Sequence, residues 1–441
     1  MVTHEIVATL SSEQVAGRLL LDVAIVIGAA RLSSVLLRAL HQPPVLGEII
    51  GGIALGPSLL GAIPGDPSAQ LFPGEVRAGL SAIGGIGLVL FMFIVGLELN
   101  LATVRRHDRT VLSVSVGSMV LPFACGIALA ALLYDHHSLV GTTTVSFVPF
   151  ALFIATALSI TAFPVLVRIL RDRGWQQTQI GTVATSCAAV QDSAGWILLV
   201  VSLVALKAHG VGPLLRVVLE TAVFICVLVN VVRPLLCFAL RRWSPAGELS
   251  LNTLAIAVVG LVASASATQL IGLHSVMGAF AFGVMFPRRE SPRFVEEVSR
   301  ALRPTTMSVL LPIYFLSPGL NVDLTKLDSR APVELIAIFA CACVGKLLGS
   351  TIGARVAGLR GDDAHRLAVL MNARGLIELI VLNVGLAAGA LDHQLFTELV
   401  AMAVVTTMMT GPLLDLIQTR AARRQTAALD ETLAVADQRM V

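Results

Sequence analysis

The sequence predicts an all-α polytopic membrane protein: about thirteen transmembrane helices in two inverted six-helix repeats, with crossed, broken helices. Three observations lead there. Of the 441 residues, 56% are hydrophobic and 13% charged, against about 25% charged in a soluble domain. The apolar residues gather into runs long enough to span a bilayer. The basic residues between those runs alternate sides along the chain, as in a multi-pass protein.

The same composition narrows the functions. A formal net charge of +3 argues against a nucleic-acid partner. The six cysteines all lie in apolar segments as small packing residues, and Cys341-Ala-Cys343 lacks metal-ligand spacing. The N-terminus has neither a basic leader nor a small-residue cleavage site, so no removable signal peptide is expected.

In chain order, the apolar runs fall at about 18–39, 43–61, 81–99, 111–133, 146–170, 178–206, 212–240, 251–270, 273–287, 304–321, 332–354, 367–390 and 395–418. With the N-terminus outside, 23 Lys and Arg fall on inward connections, among them Arg105, Arg106, Arg168, Arg288, Arg289, Arg360 and Arg439. Only five fall outside: Arg77, Lys207, Arg216, Lys326 and Arg330. This asymmetry predicts an outer N-terminus, a cytoplasmic C-terminus and a cell membrane location. Residues 1–420 form the membrane domain, and 421–441 a short polar tail.

The halves echo each other. Val45-Leu-Gly-Glu-Ile-Ile-Gly-Gly-Ile-Ala-Leu-Gly-Pro57 in span two resembles Ser275-Val-Met-Gly-Ala-Phe-Ala-Phe-Gly-Val-Met-Phe-Pro287 in span nine. Phe91-Met-Phe-Ile-Val-Gly-Leu-Glu-Leu-Asn100 in span three resembles Ile313-Tyr-Phe-Leu-Ser-Pro-Gly-Leu-Asn321 in span ten. Both pairings have an offset of seven spans, which is odd and so turns the second copy upside down. Inverted repeats at about 18–206 and 251–418, joined by a linker helix at 212–240, are the layout of many secondary transporters.

The chemistry centres on Asp192 in span six, because a carboxylate at mid-membrane depth is a functional candidate by default. Its bland alternative is a buried Asp that only ties helices together. In span five, Ser159-Ile-Thr161-Ala-Phe-Pro164 combines a residue that cannot donate to the helix ladder with hydroxyls that can serve freed carbonyls. Seven spans on, Asn372-Ala-Arg374-Gly-Leu-Ile-Glu378 offers a break at Gly375. Arg374 and Glu378, four apart, either serve transport or form an ion pair tying the broken helices together. Lys346 in span eleven needs an anion. Asp192 is the evident one, and the other reading of Lys346 is a cap on a broken helix. Glu48, Glu98 and Glu334 lie near span ends, and Glu220 lies in the linker span. Burial raises a carboxyl pKa and a nearby cation lowers it, so one carboxylate holds a proton or an alkali cation but not both. Gln191 adds a neutral carbonyl ligand, and Thr161 and Ser159 complete the expected cation- and proton-binding set. One titrating acid implies one-for-one, electroneutral exchange, provided that Lys346 keeps its proton.

These motifs resemble the monovalent cation:proton antiporters, in the branch of the glutathione-gated potassium efflux proteins and the plant and fungal cation/proton exchangers. The matching stretches are Pro43-Pro-Val-Leu-Gly-Glu-Ile-Ile-Gly-Gly52, Phe93-Ile-Val-Gly-Leu-Glu98, Ala157-Leu-Ser-Ile-Thr-Ala-Phe-Pro-Val-Leu166, Ala189-Val-Gln-Asp-Ser-Ala-Gly-Trp196, Gly278-Ala-Phe-Ala-Phe-Gly283 and Asn372-Ala-Arg-Gly-Leu-Ile-Glu378. The resemblance implies a homodimer with an elevator motion, and Asp192 as shared ligand of proton and cation. It also places Thr161 on an unwound crossing helix and matches Lys346 to an embedded family Lys. Potassium and sodium both remain open, with a role in pH homeostasis. The chain ends at Val441, so gating through a large soluble nucleotide-binding domain is not expected.

Other readings are weaker. A channel or uniporter would need a continuous polar path or a carbonyl filter. A proton-coupled exporter of an organic compound or ionophore would want aromatic contacts, and aromatics are only 5% of residues. An enzyme is not expected, and no cofactor is implied. No resident metal is implied either, only a transported alkali cation at Asp192, because His136, His137, His209, His274 and His393 read as loop or near-interface residues.

Overall fold

The computed structural model describes residues 12–40, 42–98, 108–207, 211–243, 250–287, 292–359 and 361–438, and among them the chain is almost wholly helical. The helices are α1 (Ser12–Ala39), α2 (Pro44–Leu55), α3 (Pro67–Leu71), α4 (Gly74–Glu98), α5 (Asp108–His137), α6 (Phe147–Ser159), α7 (Phe163–Asp172), α8 (Gln179–Lys207) and α9 (Val211–Val227). They continue as α10 (Arg233–Trp243), α11 (Leu251–Ile271), α12 (Ser275–Met285), α13 (Pro292–Thr305), α14 (Leu311–Leu320), α15 (Ala331–Val356), α16 (Asp362–Met371), α17 (Leu376–Ala387) and α18 (His393–Gln438). One small antiparallel hairpin, Leu139–Val140 against Thr143–Thr144, interrupts the helices.

Each of the thirteen expected spans meets a helix. Nine helical stretches among the described residues are long and apolar enough to cross a membrane, and Pro44–Leu55, Phe147–Ser159, Ser275–Met285 and Ile377–Ala387 are shorter apolar helices. Spans five and twelve are broken. The first break, at 160–162, falls just ahead of Pro164, whose missing N–H has no partner to lose in the first turn of α7. Spans seven and ten stay continuous through single π-helical turns, Leu228–Val232 before Pro234 and Thr306–Leu310 after Pro304. A widened turn is a common way for a helix to absorb a residue that cannot complete its ladder. The tail extends as helix α18 to Gln438 rather than ending near 418.

Two compact units emerge. One holds α1–α4, α9 from Leu215 onward and α10–α14. There α2 crosses α14 backbone to backbone: a Cβ on Gly52 would stand 2.2 Å from the Leu316 carbonyl oxygen, and one on Gly319 2.4 Å from that of Ile49. In the same way α4 crosses α12, where a Cβ on Gly283 would stand 2.4 Å from the Phe93 oxygen. Phe93, Phe282 and Phe286 pack around this second crossing. The other unit holds α5–α8 and α15–α18. There α5 and α15 meet at Gly117 and Gly349, over a core that includes Val114, Leu166, Leu170, Cys187 and Leu370.

Arg105, Arg106, Arg288, Arg289, Arg360, Arg439, His209 and Asn100 lie outside the described residues, as do the side chains of Pro164, Arg168 and Glu98. Glu220 pairs with Arg216 four residues earlier, at 2.7 Å on α9. All six cysteines are free thiols.

Candidate functional site

Within the second unit, the gap at Ile160-Thr161-Ala162 crosses the gap at Asn372–Gly375. Ala162 N–H donates to the Ala373 carbonyl at 3.0 Å. Thr161 Oγ1 lies 2.7 Å from both the Met371 carbonyl oxygen and Gln191 Oε1, so its single proton is shared between them. Four helix ends therefore converge. The C-termini of α6 and α16 present unpaired carbonyls and partial negative charge; the N-termini of α7 and α17 present unpaired N–H groups and partial positive charge.

The charged side chains sort themselves accordingly. Two cations serve the carbonyl end of α6. Arg374 donates from Nη1 to the Ala157 oxygen and from Nη2 to the Leu158 oxygen, both at 2.9 Å. Lys346 Nζ donates to the Ser159 oxygen at 2.5 Å and to the Ser118 oxygen at 3.0 Å. One anion serves the N–H end of α7: Asp192 Oδ1 accepts from Phe163 N–H at 3.3 Å. Glu378 sits in the first turn of α17, where the helix dipole favours an acid. It pairs with Arg374 at 3.0 Å, both side chains almost completely buried. Arg374 is fixed further by Thr407 on α18, whose hydroxyl accepts from the Arg374 N–H and lies 2.9 Å from its carbonyl oxygen. Asn372 is fully buried, and among the described residues neither atom of its amide meets a partner in good hydrogen-bond geometry.

Three expectations need correction here. Lys346 does not pair with Asp192. Its ammonium reaches Gln191 Oε1 at 3.0 Å, alongside the Ser118 and Ser159 oxygens, and no carboxylate lies in ion-pair range among the described residues. The reason is helical phase: Gln191 and Asp192 point about 100° apart around α8. Gln191 is likewise not free to serve a cation, because Thr161, Lys346 and Ser118 all reach its one oxygen. The Ser159 hydroxyl turns back to the Thr156 carbonyl at 3.0 Å, and only the Ser159 backbone oxygen faces Lys346.

Sequence reasoning missed Ser118, Met371 and Thr407. Each is a weakly polar residue in an apolar run, where a lone hydroxyl or thioether gives little signal.

The family described as sodium/hydrogen exchanger, transmembrane, matches residues 23–417. The chain is 36% identical over 396 residues to the Na(+)/H(+) antiporter NhaS4 of Synechocystis, covering 90% of this chain and 96% of that protein. It is 36% identical to cation/H(+) antiporter 20 of Arabidopsis thaliana over 89% of this chain, and 33% identical to K(+)/H(+) antiporter 1 of Saccharomyces cerevisiae over 86%. The chain spans about half the length of those plant and yeast relatives, 48% and 44%. In fold it is similar to the sodium proton antiporter MjNhaP1 of Methanocaldococcus jannaschii, with a TM-score of 0.60 at 14% identity over 95% of this chain and 98% of that one. The chain belongs to the transmembrane sodium/hydrogen exchanger family, the monovalent cation:proton antiporters, which are secondary transporters and not enzymes.

Proposed function

We propose that the chain exchanges one monovalent cation, Na+ or K+, for one proton, with Asp192 as the carboxylate that holds either. The observation that carries this reading is the contrast between the two charges beside the break in span five. Lys346 is saturated by fixed oxygens, whereas among the described residues Asp192 accepts from a single backbone N–H. A buried carboxylate without a fixed counter-charge is unstable unless something mobile neutralises it. A proton and an alkali cation both can, and each excludes the other. If the site crosses the membrane only when loaded, exchange follows. The exchange is electroneutral on the condition that Lys346 stays protonated among its oxygen acceptors while Asp192 titrates.

The wider arrangement rests on related support. An offset of seven spans turns the α2–α14 pairing into the α12–α4 pairing, which supports inverted repeats at 18–206 and 251–418 joined by the linker at 212–240. Separate compaction of the unit holding the crossing supports an elevator motion, in a homodimer in the cell membrane, with the N-terminus outside and the tail 421–441 in the cytoplasm. Gln191, Thr161 and Ser159 position Lys346 and the break, and Arg374, Glu378 and Asn372 hold the broken helices.

The test is cation-induced collapse of a pH gradient in proteoliposomes, with Na+ and K+ added separately, with and without a membrane potential. Exchange lost in Asp192→Asn and indifferent to potential is the expected result. A folded Asp192→Asn protein as active as wild type would remove Asp192 from its role.

A further inference from the structure

A second cluster of titratable groups lies at the far end of α5. Its member Glu334 is twelve residues before Lys346 on α15, about 18 Å along the helix. His137, read from the sequence as a loop or near-interface residue, ends its helix 3% exposed and held between two carboxylates. Its Nδ1 lies 2.7 Å from Asp392 Oδ2, and its Nε2 lies 3.1 Å from Glu334 Oε2. A third acid, Glu398 on α18, is 0% exposed. Its Oε1 accepts from Gln394 at 3.3 Å, and its Oε2 has no hydrogen-bond partner among the described residues. One donor atom each from His137, Glu334 and Glu398 lies within 4.8 Å of the other two. The nearby base Arg330 is engaged with His136 at 2.7 Å, and Asp328 accepts from Gln394 at 3.1 Å.

We propose that His137 Nε2, Glu334 and Glu398 form a binding site for a divalent cation of the zinc type. Four features of the geometry argue for it. An imidazole with carboxylates is a donor set that suits zinc, whereas calcium and magnesium take oxygen ligands. The 3.1 Å between His137 Nε2 and Glu334 Oε2 matches the spacing of about 3.3 Å between neighbouring ligands on a tetrahedral zinc. Asp392 on Nδ1 is the outer carboxylate that fixes a ligating imidazole in the tautomer with its Nε2 lone pair facing inward. Glu398 Oε2 is a buried acceptor that nothing among the described residues serves, and a cation would serve it. The bound ion would clasp α5, α15 and α18 together.

The test uses the full-length protein with any affinity tag removed, washed with chelator and titrated with Zn2+ against a competing fluorescent zinc indicator. We expect saturable binding of about one zinc per chain, unaffected by Ca2+, weakened by about tenfold or more in Glu398→Gln and in His137→Ala. Added zinc should raise the melting temperature of the wild type and of neither variant. Glu398→Gln is nearly isosteric, so its metal-free melting curve separates loss of ligand from loss of fold, and that arm decides the matter if His137→Ala does not fold. Equal zinc affinity in the wild type and the folded variants, or no saturable binding in the wild type, would overturn the proposal.

Discussion

Lys346 Nζ and Gln191 Oε1 lie 3.0 Å apart, one helical step from Asp192. That step separates two jobs. Gln191 takes the lysine, and the lysine in turn holds the frayed end of α6, while Asp192 is left to the N-terminus of α7.

Replacing Lys346 by Met follows directly. The Ser159 and Ser118 carbonyls and Gln191 Oε1 would lose a shared donor in dry surroundings, at roughly 1–3 kcal/mol per group left unserved. Thermal unfolding of the purified protein should show Lys346→Met melting several degrees lower. Asp192→Asn, which removes a buried charge that has only one partner among the described residues, should melt at or above the wild type. The opposite ranking would mean that the two residues neutralise each other after all.

Arg374 and Glu378 should be strongly coupled. Arg374→Met leaves Glu378 as a buried, uncompensated charge, a loss of about 3–5 kcal/mol. Converting both residues to Met should restore part of it, because no lone charge remains. A double-mutant cycle on unfolding free energies reads this coupling. Additive effects would show that each residue acts through the backbone alone.

Thr161 offers a finer probe. Its hydroxyl faces both Gln191 and the Met371 carbonyl, so Thr161→Val, similar in shape, should cost about 1–3 kcal/mol and slow exchange. Thr161→Ser keeps the hydroxyl and should stay close to wild type. Equal behaviour of the two variants in unfolding and in flux would assign Thr161 to packing.

Glycine substitutions should divide sharply. A Cβ on Gly117 would stand 2.4 Å from the Gly349 oxygen, a backbone atom that cannot swing aside. Gly117→Ala should therefore push α5 and α15 apart and lower both the yield of folded protein and its melting temperature. Gly85→Ala on α4, with nothing within 4 Å, should stay folded and melt no lower than wild type. Size-exclusion profiles and melting curves of the two variants make the comparison.

The spans were legible because bilayer thickness writes itself into the lengths of apolar runs. The breaks were legible at Pro164 and Gly375 because those residues act on their own backbone. The partners of Lys346 were not. Ser118, Ser159 and Gln191 are 228, 187 and 155 residues away in sequence, and the choice between Gln191 and Asp192 turns on rotation about one helix axis. The partners of His137 were hidden for a similar reason. As the last residue of α5 it reads as a helix end, and only the folded chain brings Asp392 and Glu334 to its two nitrogens.

The bond from Ala162 to Ala373 has a consequence for how such a chain can diverge. The joint between the two interrupted helices is made by main-chain atoms, which every amino acid but proline supplies. No particular side chain at either position is needed to keep it, only one small enough to let the strands of the joint approach. Lineages can thus rewrite the letters around the crossing while inheriting the crossing itself.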